Sequence, residues 1–109
     1  SRVIMCERGL RTFETQTRFT LDLAGAAVLK LNSHLPLIID PSHTTGRRDI
    51  VAPLAQASVA LGVEGLLVEI HPNPDEALSD REQAFPLKEV PKLLESLRKI
   101  AKAIDREII

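Results

Sequence analysis

The sequence predicts an α/β fold built from consecutive β-strand to α-helix units, and three observations carry that expectation. Three short apolar runs, Arg2 to Cys6, Leu37 to Asp40 and Gly65 to Ile70, each close on a polar cluster: Cys6-Glu7-Arg8-Gly9, Asp40-Pro41-Ser42-His43 and Glu69-Ile70-His71-Pro72. The runs begin near residues 2, 36 and 65, a spacing of about thirty residues that accommodates a strand, a helix and the return to the sheet. Right-handed crossovers put the three strand ends on one side, so the polar clusters converge as they do in β/α enzymes.

The first unit opens with Val3-Ile4-Met5 as a strand. A polar loop, Glu7 to Thr20, then leads to a helix expected over Leu21 to Leu31, in which Gly25 is the weak point. In the second unit Leu37-Ile38-Ile39 is a continuous apolar strand, the pattern of a parallel sheet covered on both faces. Its loop runs from Pro41 to Arg48, and a helix is expected from Arg48 or Asp49 to Leu61. That helix has Leu54, Ala57, Ser58 and Leu61 on one face and Gly62 as its C-terminal cap. Proline is tolerated only in a first helical turn, so Pro53 requires the regular helix to begin late or to bend.

The third strand, Leu66-Leu67-Val68, follows directly after Gly65. Pro72 and Pro74 stop regular structure, and Asn73 to Ala84 reads as a long irregular or functional loop. Pro86 suits the first turn of a final helix, in which Leu87, Val90, Leu93, Leu94, Leu97, Ile100, Ala101 and Ile104 recur at spacings of three and four. Its opposite face, carrying Lys88, Glu89, Lys92, Glu95, Arg98, Lys99 and Lys102, reads as a solvated surface.

A chain of 109 residues with 44% apolar content can build one core and at most one domain. Its net charge of −1 and pI near 6.3 give no footprint for a nucleic-acid partner, and no basic run points to an anionic membrane. Cys6 is the single cysteine, which excludes an intrachain disulfide. Neither a secretory signal nor an apolar stretch of about 18 residues is present, so a soluble, cytoplasmic protein is expected. Ser1 leads at once into a buried-type strand, from which we expect a piece of something larger.

His43, Glu69 and Asp80 form a mixed imidazole and carboxylate set from three segments. Such a set suits a divalent transition metal: imidazole disfavours a pure calcium or magnesium site, and carboxylates disfavour a structural zinc site built on thiolates. An open, catalytic metal is the sharper reading. The alternative makes His43 a core or loop histidine, Glu69 an ion-pair partner and Asp80 a turn cap after Ser79, and spacing leaves both open. Arg8 stands at a strand end beside Gly9, where a guanidinium can bind a phosphate or carboxylate; a salt bridge to Glu7 or Glu14 is the competing use. Arg11 with Thr12, and Thr44-Thr45-Gly46-Arg47-Arg48, are weaker anion candidates, since Arg47 and Arg48 can pair with Asp49. Cys6 is expected to be a buried small apolar residue, His34 a loop residue, and His71 shares the face of Glu69 only if the strand persists.

Cys6 to Glu14, Asp40-Pro41-Ser42-His43 followed by Gly46-Arg47-Arg48-Asp49, and Val68 to Pro72 followed by Ala77-Leu78-Ser79-Asp80 together resemble the last third of 3-deoxy-D-arabino-heptulosonate 7-phosphate (DAHP) synthases. The variant resembled is the compact one that is also similar to 3-deoxy-octulosonate 8-phosphate (KDO8P) synthase, and the similarity spans nearly the whole chain. It implies a TIM (β/α)₈ barrel in which residues 1–109 are the C-terminal part, supplying the last three βα units. It also implies condensation of phosphoenolpyruvate with erythrose 4-phosphate, the entry step of aromatic amino-acid biosynthesis. The matching metal ligands are His43, Glu69 and Asp80, for a divalent Mn, Fe, Co or Zn ion, with His43 or Asp80 relaying a proton.

On the same resemblance Arg8 holds the phosphate of phosphoenolpyruvate, and Arg11 and Asp40 are further substrate-binding candidates. A homotetramer is the implied assembly. The family's cysteine ligand comes from the first barrel strand, which Cys6 does not match, and Arg81 stands where the family commonly has glycine. Two alternatives are a KDO8P synthase, which takes arabinose 5-phosphate as its aldehyde, and a non-catalytic fragment, since three strands cannot close an eight-stranded barrel.

Overall fold

The computed structural model describes residues 2–76 and 83–109. Strand β1 (Met5–Glu7) precedes helix α1 (Leu23–Asn32), and strand β2 (Leu37–Ile39) runs into a single-turn helix, α2 (Pro41–Thr45). A 3₁₀ turn over Arg48–Ile50 continues into α3 (Val51–Leu61), followed by β3 (Gly65–Leu66) and β4 (Ile70–His71). Further 3₁₀ turns cover Pro74–Glu76 and Leu87–Glu89; β5 (Phe85–Pro86) and α4 (Val90–Ala103) complete the order.

β1, β2 and β3 form a parallel sheet in sequential order, with Met5, Cys6 and Glu7 opposite Leu37, Ile38 and Ile39, and Ile38 and Ile39 opposite Gly65 and Leu66. The ladder continues past the strands, because Asp40 N–H donates to the Glu7 carbonyl and Leu67 N–H to the Ile39 carbonyl, each at 2.9 Å. The expected α/β organisation is therefore present: three strands, each followed by helix, with their carboxyl ends on one side.

Two apolar clusters hold the layers. Ala26, Leu37, Ile39 and Val63 pack between the sheet and α1, and Val51, Ala55, Phe85, Leu93 and Leu97 pack between α3 and α4. Leu66 touches both clusters and ties strand to helices. At the amino ends of the strands Glu64 accepts the Leu37 N–H at 3.2 Å and pairs with Lys30 at 2.6 Å and Arg106 at 3.7 Å. Burial pushes this carboxyl up, but the Lys30 hydrogen bond, the Leu37 N–H and the charges of Lys30 and Arg106 outweigh it and hold it below the usual glutamate range.

Several element boundaries differ from the sequence expectation. Helix α1 starts at Leu23 because the Asp22 carboxylate caps it, accepting the Gly25 N–H at 2.7 Å. Helix α3 begins late, at Val51, which puts Pro53 in its first turn, and Gly62 ends it in a left-handed conformation as expected. Its buried face is Val51, Ala55 and Ser58, while Ala57 is exposed. The third strand is shorter than expected: after Leu66 the chain leaves β2, and Ile70–His71 pairs in parallel with Phe85–Pro86. Pro86 ends that strand instead of opening a helix, and Pro91 occupies the first turn of α4. Cys6 is exposed, because alternation turns Met5 and Glu7 to the half-buried face and Cys6 to the other, which no described element covers. The polar face of α4 is solvated as expected, with an exposed Glu95–Lys99 pair at 3.5 Å.

Candidate functional site

The carboxyl ends of β1, β2 and β3 bring together Arg8, Asp40, His43 and Glu69. Asp40 directly follows β2 and caps α2: its Oδ1 accepts the His43 N–H at 2.9 Å, and Pro41 fills the first helical position, where no N–H is needed. Thr44 and Thr45 hydroxyls donate back to the carbonyls of Asp40 and Pro41 at 2.7 and 3.0 Å, and Gly46 closes the turn. The Asp40 cap therefore holds His43 four residues past the end of β2.

A continuous line of polar contacts runs through these residues. Asp40 Oδ2 lies 3.9 Å from Arg8 Nε and 2.6 Å from His43 Nδ1, and His43 Nε2 lies 3.5 Å from Glu69 Oε1. Asp40 has no exposed surface, whereas the side chains of Arg8 and Glu69 are 60% and 42% exposed. Glu69 is held by its backbone: its N–H donates to Ser42 Oγ at 3.0 Å, and its carbonyl accepts the Phe85 N–H at 2.7 Å. The β2 helix turn, the departing third strand and β5 are thereby registered on one another.

Two donors each about 2.1 Å from one ion, at an angle of about 110°, stand about 3.5 Å apart, so His43 Nε2 and Glu69 Oε1 have the separation of neighbouring ligands. Among the described residues no group of three or more His, Cys, Asp or Glu side chains gathers to hold an ion. Asp80, the third expected ligand, lies outside the described residues.

The remaining candidates divide. Arg8 forms no salt bridge to Glu7 or Glu14; Glu7 accepts the Gly9 N–H at 2.7 Å, and Glu14 accepts the N–H groups of Thr15 and Gln16. Gly9, at φ +109°, makes room for protein: a Cβ there would stand 2.6 Å from Phe19 Cβ and 3.1 Å from Thr44 Cγ2. Arg11 lies over the Phe19 ring, 6.0 Å from its centroid, and is not part of the Arg8 to Glu69 line. Arg47 grips Asp49 through two hydrogen bonds and reaches the Gln16 carbonyl, and Arg48 pairs with Asp75 at 3.2 Å instead of Asp49. His71 Nδ1 accepts the Asn73 N–H. Asp40, a substrate-binding candidate, has both oxygens turned to His43.

Cys6 stands beside the line but does not join it. Burial pushes its thiol up first, the charges of Asp40 and Glu7 add to this, and Arg8 opposes it. Ser42 had no role assigned from the sequence; its hydroxyl proves to be the tether of Glu69. The only signal for it was its place inside the Asp-Pro-Ser-His run.

The DAHP synthetase I family model matches residues 1–106. The chain is 45% identical over 104 residues to a phospho-2-dehydro-3-deoxyheptonate aldolase of Thermotoga maritima, covering 95% of this chain and 31% of that protein. It is 33% identical over 114 residues to a 2-dehydro-3-deoxyphosphooctonate aldolase of Alkalilimnicola ehrlichii, covering 94% of this chain and 40% of the relative. A solved structure, the truncated form of 3-deoxy-D-arabino-heptulosonate 7-phosphate synthase from Thermotoga maritima, superposes with a TM-score of 0.94 at 44% identity, over 97% of this chain and 40% of that one. The chain thus spans between 31% and 40% of the length of these relatives.

Proposed function

The chain belongs to the DAHP synthetase I family, and from that premise we propose that residues 1–109 form the C-terminal part of a (β/α)₈ barrel that condenses phosphoenolpyruvate with erythrose 4-phosphate. The observation that carries the reading is the line from Arg8 through Asp40 and His43 to Glu69 at the carboxyl ends of parallel strands. In such folds chemistry is built at that end.

His43 and Glu69, joined by Asp80, are proposed to hold a divalent Mn, Fe, Co or Zn ion. Bound there, the ion supplies Lewis-acid polarisation of the aldehyde carbonyl. Arg8 donates no hydrogen bond among the described residues and is exposed, so its fork of N–H groups is available to the phosphate of phosphoenolpyruvate. That contact sets the enol carbon against the aldehyde, which is the entropic part of the catalysis. Carbon 3 of phosphoenolpyruvate attacks the aldehyde carbon, water adds at carbon 2, and inorganic phosphate departs, with His43 or Asp80 carrying a proton. Homotetrameric assembly in the cytoplasm belongs to the same proposal. No described helix is long and apolar enough to cross a membrane.

The test is His43→Ala in the full-length polypeptide that carries this segment. Metal-dependent turnover should disappear while the circular dichroism spectrum is retained; full activity after rigorous chelation would overturn the metal assignment. Offering erythrose 4-phosphate and arabinose 5-phosphate in parallel tests the aldehyde. Turnover of arabinose 5-phosphate alone would replace the reading by a KDO8P synthase.

A further inference from the structure

We infer that Asp40 is a positioning residue for the candidate metal site, setting which nitrogen of His43 faces Glu69. The inference deepens the function proposed above and rests on it.

Asp40 has two oxygens with two separate tasks. Oδ1 accepts the His43 backbone N–H at 2.9 Å, which starts helix α2, and Oδ2 lies 2.6 Å from the His43 ring at Nδ1. A carboxylate offers only acceptors, so in the neutral ring Nδ1 carries the hydrogen and the lone pair is left on Nε2. Nε2 is the nitrogen 3.5 Å from Glu69 Oε1. The same residue therefore fixes the backbone from which His43 projects, the plane of its ring and its tautomer.

The environment of Asp40 supports this assignment over direct substrate contact. It has no exposed surface, and its own N–H is occupied by the Glu7 carbonyl. A buried carboxylate needs compensation, and it receives the two His43 contacts with the Arg8 guanidinium 3.9 Å from Oδ2. Ligating histidines generally donate their second ring N–H to such an acceptor, and loss of the acceptor weakens metal binding by about 10- to 100-fold.

Two substitutions separate orientation from capping. In Asp40→Asn the carboxamide has one oxygen: if it keeps the His43 N–H, its NH₂ faces Nδ1 and drives the hydrogen onto Nε2. Asp40→Ser retains an N-cap acceptor but is too short to hold the ring. Both are made in the full-length polypeptide, stripped of metal. Mn²⁺ is titrated by electron paramagnetic resonance, and the ring nitrogens are read by ¹⁵N NMR of histidine-labelled protein.

The expected result is a roughly 10- to 100-fold rise in the Mn²⁺ dissociation constant for both variants. In the Asn variant the His43 signals should also change to the Nε2–H tautomer. Unchanged affinity in a folded variant would overturn the inference, as would weaker binding with the tautomer unaltered, which is what a capping role alone would give. Should Asp40→Asn fail to fold, Asp40→Ser decides through affinity and the loss of a single fixed tautomer. His43→Ala is the control: Mn²⁺ binding as tight as in the parent would remove the metal reading itself, whereas loss in His43→Ala with none in either Asp40 variant would remove only the role of Asp40.

Discussion

Replacing Gly9 by alanine is the most direct test of how the site is held in place. At φ +109° an added Cβ is strained whatever space surrounds it, a cost of about 1–3 kcal/mol. The Cβ would also stand 2.6 Å from Phe19 Cβ, an overlap of about 1 Å relative to ordinary carbon contact. Phe19 cannot turn away, because a β-carbon moves only with its backbone. That backbone is pinned by the Phe19 N–H to Thr44 carbonyl bond and by the reciprocal Leu10–Thr20 pair, all at 2.8 Å.

Overpacking of this kind costs about 1–3 kcal/mol, so the total loss for Gly9→Ala is about 2–6 kcal/mol. Urea denaturation of the full-length polypeptide measures it as a shift in midpoint at constant slope. If Arg8 holds phosphoenolpyruvate as proposed, affinity for that substrate should fall as well, since Arg8 is the preceding residue. A loss below about 1 kcal/mol would refute the idea that the loop after β1 is locked onto α2 by the absence of a side chain at Gly9.

Ser42→Ala leaves the Glu69 N–H without its acceptor and should cost about 1–3 kcal/mol, with weaker Mn²⁺ binding because Glu69 loses its tether; unchanged stability and affinity would contradict that role. Glu64 has a carboxyl held below the ordinary range, so its stabilisation is complete above the unfolded glutamate pKa and is lost as pH falls through the lower folded value. The melting-temperature gap between the parent and Glu64→Gln should therefore narrow on acidification below about pH 4.3, and a gap that widened would reverse the assignment. Leu97→Ala, in the cluster between α3 and α4, should lose about 2–5 kcal/mol by calorimetry or denaturant titration, and a loss near zero would show that α4 does not rest on it.

What the sequence revealed follows from how each feature is encoded. The three parallel strands and α4 were legible because apolar runs and a spacing of three and four depend on neighbours along the chain. The late start of α3 was implied by Pro53, a purely local constraint. Pairing between distant segments left no such mark: the parallel match of Ile70–His71 with Phe85–Pro86 is a tertiary choice, and it turned an expected helix start at Pro86 into a strand end.

The site divides in the same way. His43 and Glu69 could be named from residue type and strand-end position, and the structure brings them within 3.5 Å. The Asp40 to His43 ring contact could not be read from spacing, because an aspartate three residues before a histidine can cap the helix backbone without engaging the ring. Arg11 was a weaker anion candidate than Arg8, and the return limb of the loop places Phe19 beneath it. Asp80 lies outside the described residues, so the third proposed ligand rests on the sequence set and the resemblance.

The hydrogen-bonded meeting of β4 with β5 holds Ile70–His71 beside Phe85–Pro86, segments far apart along the chain. Bringing distant segments together costs closure entropy that grows only logarithmically with their separation, about 0.6 kcal/mol for each doubling. Glu69 lies directly before β4 and a single 3₁₀ turn joins β5 to α4, so this match couples the site to the helix: a change that unseats α4 is felt at Glu69.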